Sequence, residues 1–87
     1  MVEDFLVTIK VNLPKWGMGL EEGTVTHWLK AEGDKVTKGE PIVEIETAKA
    51  TQELEAPATG TLVQILLAEG ETAPVNTDIA LIEEDVS

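Results

Sequence analysis

Cysteine is missing from the 87 residues, and with it every disulfide framework, thiolate metal site and thiol nucleophile. Arginine is missing too: the strong cations are six lysines against 17 Asp and Glu, for a formal net charge of -11. A chain without guanidinium groups has no bidentate phosphate clamp, and so acidic a surface repels phosphate backbones and anionic lipid. Neither nucleic acid nor a membrane is expected as a partner. No apolar run approaches the length of a membrane span, and the opening Met-Val-Glu-Asp lacks the basic start of a secretory signal. A soluble chain of the cytoplasm, or of the mitochondrial matrix in a eukaryote, is the expectation. Histidine is scarce: His27 stands alone on a strand-like segment, with no serine, cysteine or second histidine placed to complete a triad or a metal site. The carboxylates Glu21-Glu22 and Glu83-Glu84-Asp85 lack calcium-loop spacing and read as solvated charge, so no metal is expected. At this length the chain is a single small domain, with its core between about residues 7 and 84, and a complete enzyme would be cramped in it.

Helical periodicity is the last thing lacking, and short strands take its place. Val7–Leu13, Thr24–Leu29, Pro41–Glu46, Gln52–Ala56, Thr61–Leu67 and Asp78–Glu83 are rich in Val, Ile, Leu and Thr. Between them lie Gly17 and Gly19, Gly33-Asp34, Gly39-Glu40-Pro41, Pro57 with Gly60, Gly70, and Pro74 with Asn76, all turn signals. An internal repeat organises these strands. "GTVTHWLKAEGDKVTKGEPIVEIE" from Gly23 aligns without a gap on "GTLVQILLAEGETAPVNTDIALIE" from Gly60, an offset of 37 residues, with identities that include Gly23/Gly60, Ala31/Ala68, Gly33/Gly70, Ile42/Ile79 and Ile45/Ile82. Two copies are too few for a solenoid. The expected fold is all-β, two halves closing one core around an approximate two-fold axis, with Gly33 and Gly60 as structural turn residues.

"EIETAKATQELEAP", Glu44 to Pro57, places one lysine among carboxylates with alanine on both sides. If Ala48-Lys49 form the centre of a tight hairpin, Glu46 faces Thr51, Ile45 faces Gln52, Glu44 faces Glu53 and Val43 faces Leu54. With no Gly or Asn to supply positive φ, a type I turn is expected rather than a primed one. The opposed Glu44 and Glu53 cost about 0.2–1 kcal/mol, so stability alone does not favour that pair. By the offset, Lys49 corresponds to the ends of the first and last strands, which puts it at the far end of the domain from the meeting of the termini. A Schiff-base or nucleophilic lysine needs burial or neighbouring cations. Lys49 has Glu44, Glu46, Glu53 and Glu55 around it instead, so it fits a substrate amine, acylated by another enzyme, better than a catalytic one. An ordinary solvated lysine on a hairpin is the plain alternative.

"EIETAKATQELEAPATG" resembles the attachment hairpin of the biotinyl/lipoyl domain family, and most of all the lipoyl domains of acyltransferase components of 2-oxo acid dehydrogenase complexes. The shared frame is Glu44, Glu46, Lys49 and Ala50, the Gly33-Asp34 turn upstream and Ala56-Pro57 with Gly60 downstream. "LPKWGMGLEEGTVTHWLKAEGD" is similar to the family's first loop and second strand, so the likeness runs from about Ile9 to Ile82. The resemblance implies a flattened barrel or sandwich of two antiparallel sheets with internal quasi-two-fold symmetry. In such a frame Val25–Trp28 and Leu62–Ile65 break strict alternation and predict a bulge in each half, and Trp28 is expected in the core.

For function, the resemblance implies a carrier domain without its own active site, part of a dihydrolipoamide acyltransferase, with lipoate joined covalently to Lys49 as a swinging arm. Implied partners are a lipoyl ligase or lipoyl transferase, a thiamin-dependent dehydrogenase, the acyltransferase core and dihydrolipoamide dehydrogenase. Recognition would fall to Glu46, Ala48 and Ala50, with Trp16 and Met18 in a loop six residues longer than its counterpart after Pro57. Ala48 replaces the aspartate usual before the lysine, which bears on partner selectivity. Biotinyl domains carry Met on both sides of their lysine, so the alanines here argue against a biotin carrier. An unmodified interaction module of the same fold is the remaining alternative.

Overall fold

The computed structural model describes residues 6–15 and 21–85. Eight strands follow in order: β1 (Leu6–Asn12), β2 (Glu22–Trp28), β3 (Lys35–Val36), β4 (Pro41–Glu46), β5 (Thr51–Glu55), β6 (Gly60–Ile65), β7 (Thr72–Pro74) and β8 (Asp78–Asp85). They form two four-stranded sheets, β1-β8-β6-β3 and β5-β4-β2-β7, all of whose pairings are antiparallel. Among the described residues there is no helix. The architecture is the expected all-β sandwich.

The repeat accounts for the topology. β2, β3 and β4 map onto β6, β7 and β8, and each short strand crosses over: β3 completes the sheet built mainly from the second half, β7 the sheet built from the first. The core is duplicated in the same way. Val25/Leu62, Val36/Ala73, Ile42/Ile79, Val43/Ala80 and Ile45/Ile82 are pairs at the 37-residue offset, and all ten are buried. Their burial is what requires the halves to associate, since each sheet has an apolar inner face that only the other can cover. The predicted bulges are present in both halves, between Val25 and His27 in β2 and between Leu62 and Gln64 in β6.

Turns repeat as faithfully as strands. Gly33 and Gly70 both have φ near +90° and donate their N–H groups to Leu62 O and Val25 O, each at 2.7 Å, so each half's turn is bonded to the other half's strand. Two carboxylates add a reciprocal clasp: Glu32 accepts the N–H of Ile65, and Glu69 the N–H of Trp28, both at 2.8 Å. These bonds satisfy strand groups beside the bulges, where the regular ladder is interrupted.

Four details depart from the sequence expectation. Strands β3 and β7 were not anticipated, because two or three residues are too few to show a period of two. Strand ends shift by one or two residues, as where β5 begins at Thr51 rather than Gln52. Gly60 is not a turn residue but opens β6, and its need for glycine is spatial: a Cβ there would collide with the backbone carbonyl oxygen of Glu83. Trp28 is half-buried against the core instead of inside it, because its indole Nε1–H reaches out to Leu67 O at 2.8 Å.

Candidate functional site at the β4–β5 hairpin

Strands β4 and β5 pair in the anticipated register, Val43 with Leu54, Glu44 with Glu53, Ile45 with Gln52 and Glu46 with Thr51. This register follows from burial: Ile42, Val43 and Ile45 are buried on β4, while Gln52 and Leu54 are the half-covered residues of β5. Thr51, Glu53 and Glu55 are exposed. The chain reverses over residues 47–50, and neither Ala48 nor Lys49 has positive φ, in keeping with a turn outside the primed types.

Ala48, Lys49 and Ala50 are all exposed, and Thr47 is buried. Thr47 N–H donates to Ala50 O at 2.8 Å. Its hydroxyl donates to the same carbonyl at 3.0 Å and accepts from the N–H groups of Ala50 and Lys49 at 3.3 and 3.4 Å. The tip backbone is thus tied to one side chain from within. Sequence reasoning passed over Thr47, although a threonine at the first position of a tight turn is a recognised signal for such a hydroxyl-to-backbone turn.

The ammonium of Lys49 forms no ion pair with any described carboxylate; among the described residues Lys10 pairs with Asp78 and Lys30 with Glu40, and His27 Nδ1 lies 3.3 Å from Glu69. Glu44 accepts a hydrogen bond from the Thr26 hydroxyl at 2.9 Å and lies directly opposite Glu53. Beside this pair an open, polar groove of about 660 Å³ is lined by Pro41, Glu44, Thr51, Gln52, Glu53 and Glu55. Among the described residues no group of His, Cys, Asp and Glu is arranged to hold a metal ion. Glu46 ends β4 and is exposed, Ala48 and Ala50 flank Lys49 in the turn, and Gly33 and Gly60 lie elsewhere in the fold. Trp16 and Met18 fall outside the described residues.

An exposed primary amine without an ion-pair partner among the described residues is chemically suited to amide formation with a carboxylic acid cofactor, and Thr47 closes the turn without using the amine. The fold and this site define a two-sheet barrel that carries an exposed lysine at the tip of a hairpin. Comparison with known proteins agrees. A family model described as biotin-requiring enzyme, covering biotin- and lipoyl-type domains, matches residues 9–82. The chain is 47% identical over 78 residues to the pyruvate dehydrogenase E1 component subunit beta of Rhizobium meliloti (strain 1021), an overlap of 88% of this chain and 17% of that one. It is 46% identical over 78 residues to the dihydrolipoyllysine-residue acetyltransferase component of the pyruvate dehydrogenase complex of Rickettsia bellii (strain RML369-C), covering 88% and 19%. It is 45% identical over 76 residues to the corresponding component of the acetoin cleaving system of Bacillus subtilis (strain 168), covering 87% and 19%. The chain spans less than a fifth of the length of these relatives.

Among solved structures, the lipoyl domain of the 2-oxoglutarate dehydrogenase complex from Azotobacter vinelandii superposes with a TM-score of 0.74 at 32% identity, covering 90% of this chain and 99% of that domain. The chain belongs to the biotinyl/lipoyl attachment family, and within it to the lipoyl domains, whose cofactor is covalently attached lipoate.

Proposed function

We propose that Lys49 is the site of lipoate attachment and that the domain serves as a swinging arm in a 2-oxo acid or acetoin-type dehydrogenase complex. The observation that carries this reading is the exposed Lys49 at the tip of the β4–β5 hairpin, in no ion pair with a described carboxylate. Modification would make Lys49 Nζ an amide nitrogen: the ammonium loses one proton, the free amine attacks the carbonyl carbon of an ATP-activated lipoyl group, the C–O bond to the adenylate breaks as the nitrogen loses a second proton, and the side chain becomes a neutral tether. When bound, lipoate supplies a dithiolane able to take up an acyl group and reducing equivalents from a thiamin-dependent dehydrogenase, to yield the acyl group to an acyltransferase and to be reoxidised by a flavoprotein.

The chain's own residues contribute presentation. The two-sheet core anchors the base of the hairpin through Ile42, Val43 and Ile45, and tethering keeps the arm at high local concentration among its enzymes. Glu46, Ala48 and Ala50 frame the lysine with one charge and two small side chains, leaving room for a ligase or lipoyl transferase to enclose the amine. A biotin carrier is disfavoured by the alanines flanking Lys49 and by the 32% identity to a lipoyl domain across nearly its full length.

The test is the intact mass of the chain after incubation with a lipoyl ligase, lipoate and ATP, with peptide mapping across Glu44–Leu54. A lipoyl-sized adduct on Lys49, absent from Lys49→Arg, is the expected result. An unmodified chain beside a standard lipoyl domain modified in parallel would overturn the proposal and restore the scaffold reading.

A further inference from the structure

Thr47 has no part in the chemistry of the amine, yet it is the buried polar side chain closest in sequence to it, and its place is unusual. In an ordinary two-residue hairpin the closing residues exchange backbone bonds. Here one such bond is made, Thr47 N–H to Ala50 O at 2.8 Å, while the N–H of Ala50 lies 3.3 Å from the Thr47 hydroxyl. That hydroxyl also receives the N–H of Lys49 at 3.4 Å and donates to Ala50 O at 3.0 Å. One donor and two lone pairs are the whole capacity of a hydroxyl, and all are committed to the tip. Thr47 is buried directly after strand β4, whose Ile45 belongs to the core, so its hydroxyl links the Lys49 backbone to the last residue of the hairpin's base. The two alanines flanking the lysine offer no side-chain acceptor. No other side chain of residues 47–50 shares the task.

We propose that Thr47 is the positioning residue of the attachment site: it holds the tip backbone in the one conformation in which Lys49 is offered to a modifying enzyme. The proposal rests on the carrier reading for its consequence, though not for its geometry. Without the hydroxyl the tip samples several conformations, and if one in ten is competent the apparent affinity of the enzyme for the domain falls about tenfold while the chemical step is untouched. The loss therefore appears in KM and not in kcat.

The experiment compares the wild-type chain with Thr47→Val, which keeps the buried shape, Thr47→Ser, which keeps the hydroxyl, and Thr47→Ala as a second deletion should valine disturb folding. Lipoylation by a ligase with lipoate and ATP is followed at varied domain concentration, and exchange of the Lys49 and Ala50 amides is followed by NMR. Expected are a KM raised about tenfold at unchanged kcat for the valine variant, near-wild-type values for serine, and faster exchange at Lys49 and Ala50 but not at core amides such as Val25 and Leu62. A valine variant, or an alanine variant if valine does not fold, with wild-type KM would overturn the proposal. Should the wild-type chain itself resist lipoylation, the carrier reading falls, and the exchange rates decide alone: unchanged exchange at both tip amides would overturn the role of Thr47, and quickened exchange would uphold its hold on the tip.

Discussion

Glu44 and Glu53 are residues whose placement works against stability. They lie opposite one another across β4 and β5, and neither forms an ion pair with a described lysine. Glu53→Gln should raise the unfolding free energy by about 0.2–1 kcal/mol, read as a shift in the urea midpoint without a change in slope. Gly60 is the opposite case, a residue wholly committed to packing. Gly60→Ala forces a methyl group against the Glu83 carbonyl, and a loss of roughly 1–3 kcal/mol is expected by the same measurement. At this scale the sequence was legible where one residue's chemistry is self-sufficient. Lys49 could be found from its neighbours, and the Glu44/Glu53 pairing from the strand pattern. Gly60 could be marked as important but not for the right reason, since the collision involves a strand 23 residues away. Thr47 was missed because its significance lies in burial, and a threonine between Glu46 and Ala48 looks no different from an exposed one.

Elements join these residues through their turns. Glu40 sits in the Thr37–Glu40 turn before β4, where its carboxylate accepts the N–H of Thr37 at 2.9 Å and pairs with Lys30 at 3.0 Å. The backbone hydrogen bond first, and the lysine second, hold its carboxyl below the usual carboxylate range. A folded-state value below the unfolded one contributes stability that is fully present above the ordinary glutamate pKa and is lost as pH falls through the lowered value. Glu40→Gln should therefore be less stable than the parent at neutral pH, with the difference closing on acidification through and below the glutamate range in thermal melts at stepped pH. Gly33 and Gly70 govern the two equivalent turns after the bulges. With φ near +90° at Gly33, alanine is expected to cost about 1–2 kcal/mol, with a matching lowering of Tm. Strands β1, β2, β4, β5, β6 and β8 could be read from their Val, Ile, Leu and Thr content. β3 and β7 exist because the turns at Gly33 and Gly70 deliver two or three residues to a waiting edge, and that information is tertiary.

For the molecule as a whole, charge and symmetry are the governing properties. A net charge of -11 with no arginine makes any encounter with a basic modifying enzyme dependent on screening. Initial rates of lipoylation at low domain concentration should fall as salt is raised from about 0.01 to 0.15 M, as the Debye length shrinks from about 30 to 8 Å. Rates measured at saturating domain should change little, because steering acts on association. The two-fold plan was legible in the 37-residue repeat long before any contact could be known. What the repeat could not show was that each half lends its short strand to the other's sheet.

The pairing of Leu6 with Asp85 across β1 and β8 occupies in one sheet the place that the β4–β5 hairpin occupies in the other. Each sheet therefore carries an equivalent outer pair of strands, β4–β5 joined directly by the lysine hairpin and β1–β8 brought together from opposite ends of the described chain. A circular permutant that links residues 85 and 6 by a short loop and opens the backbone at the lysine tip would keep every strand pairing and exchange the roles of the two ends.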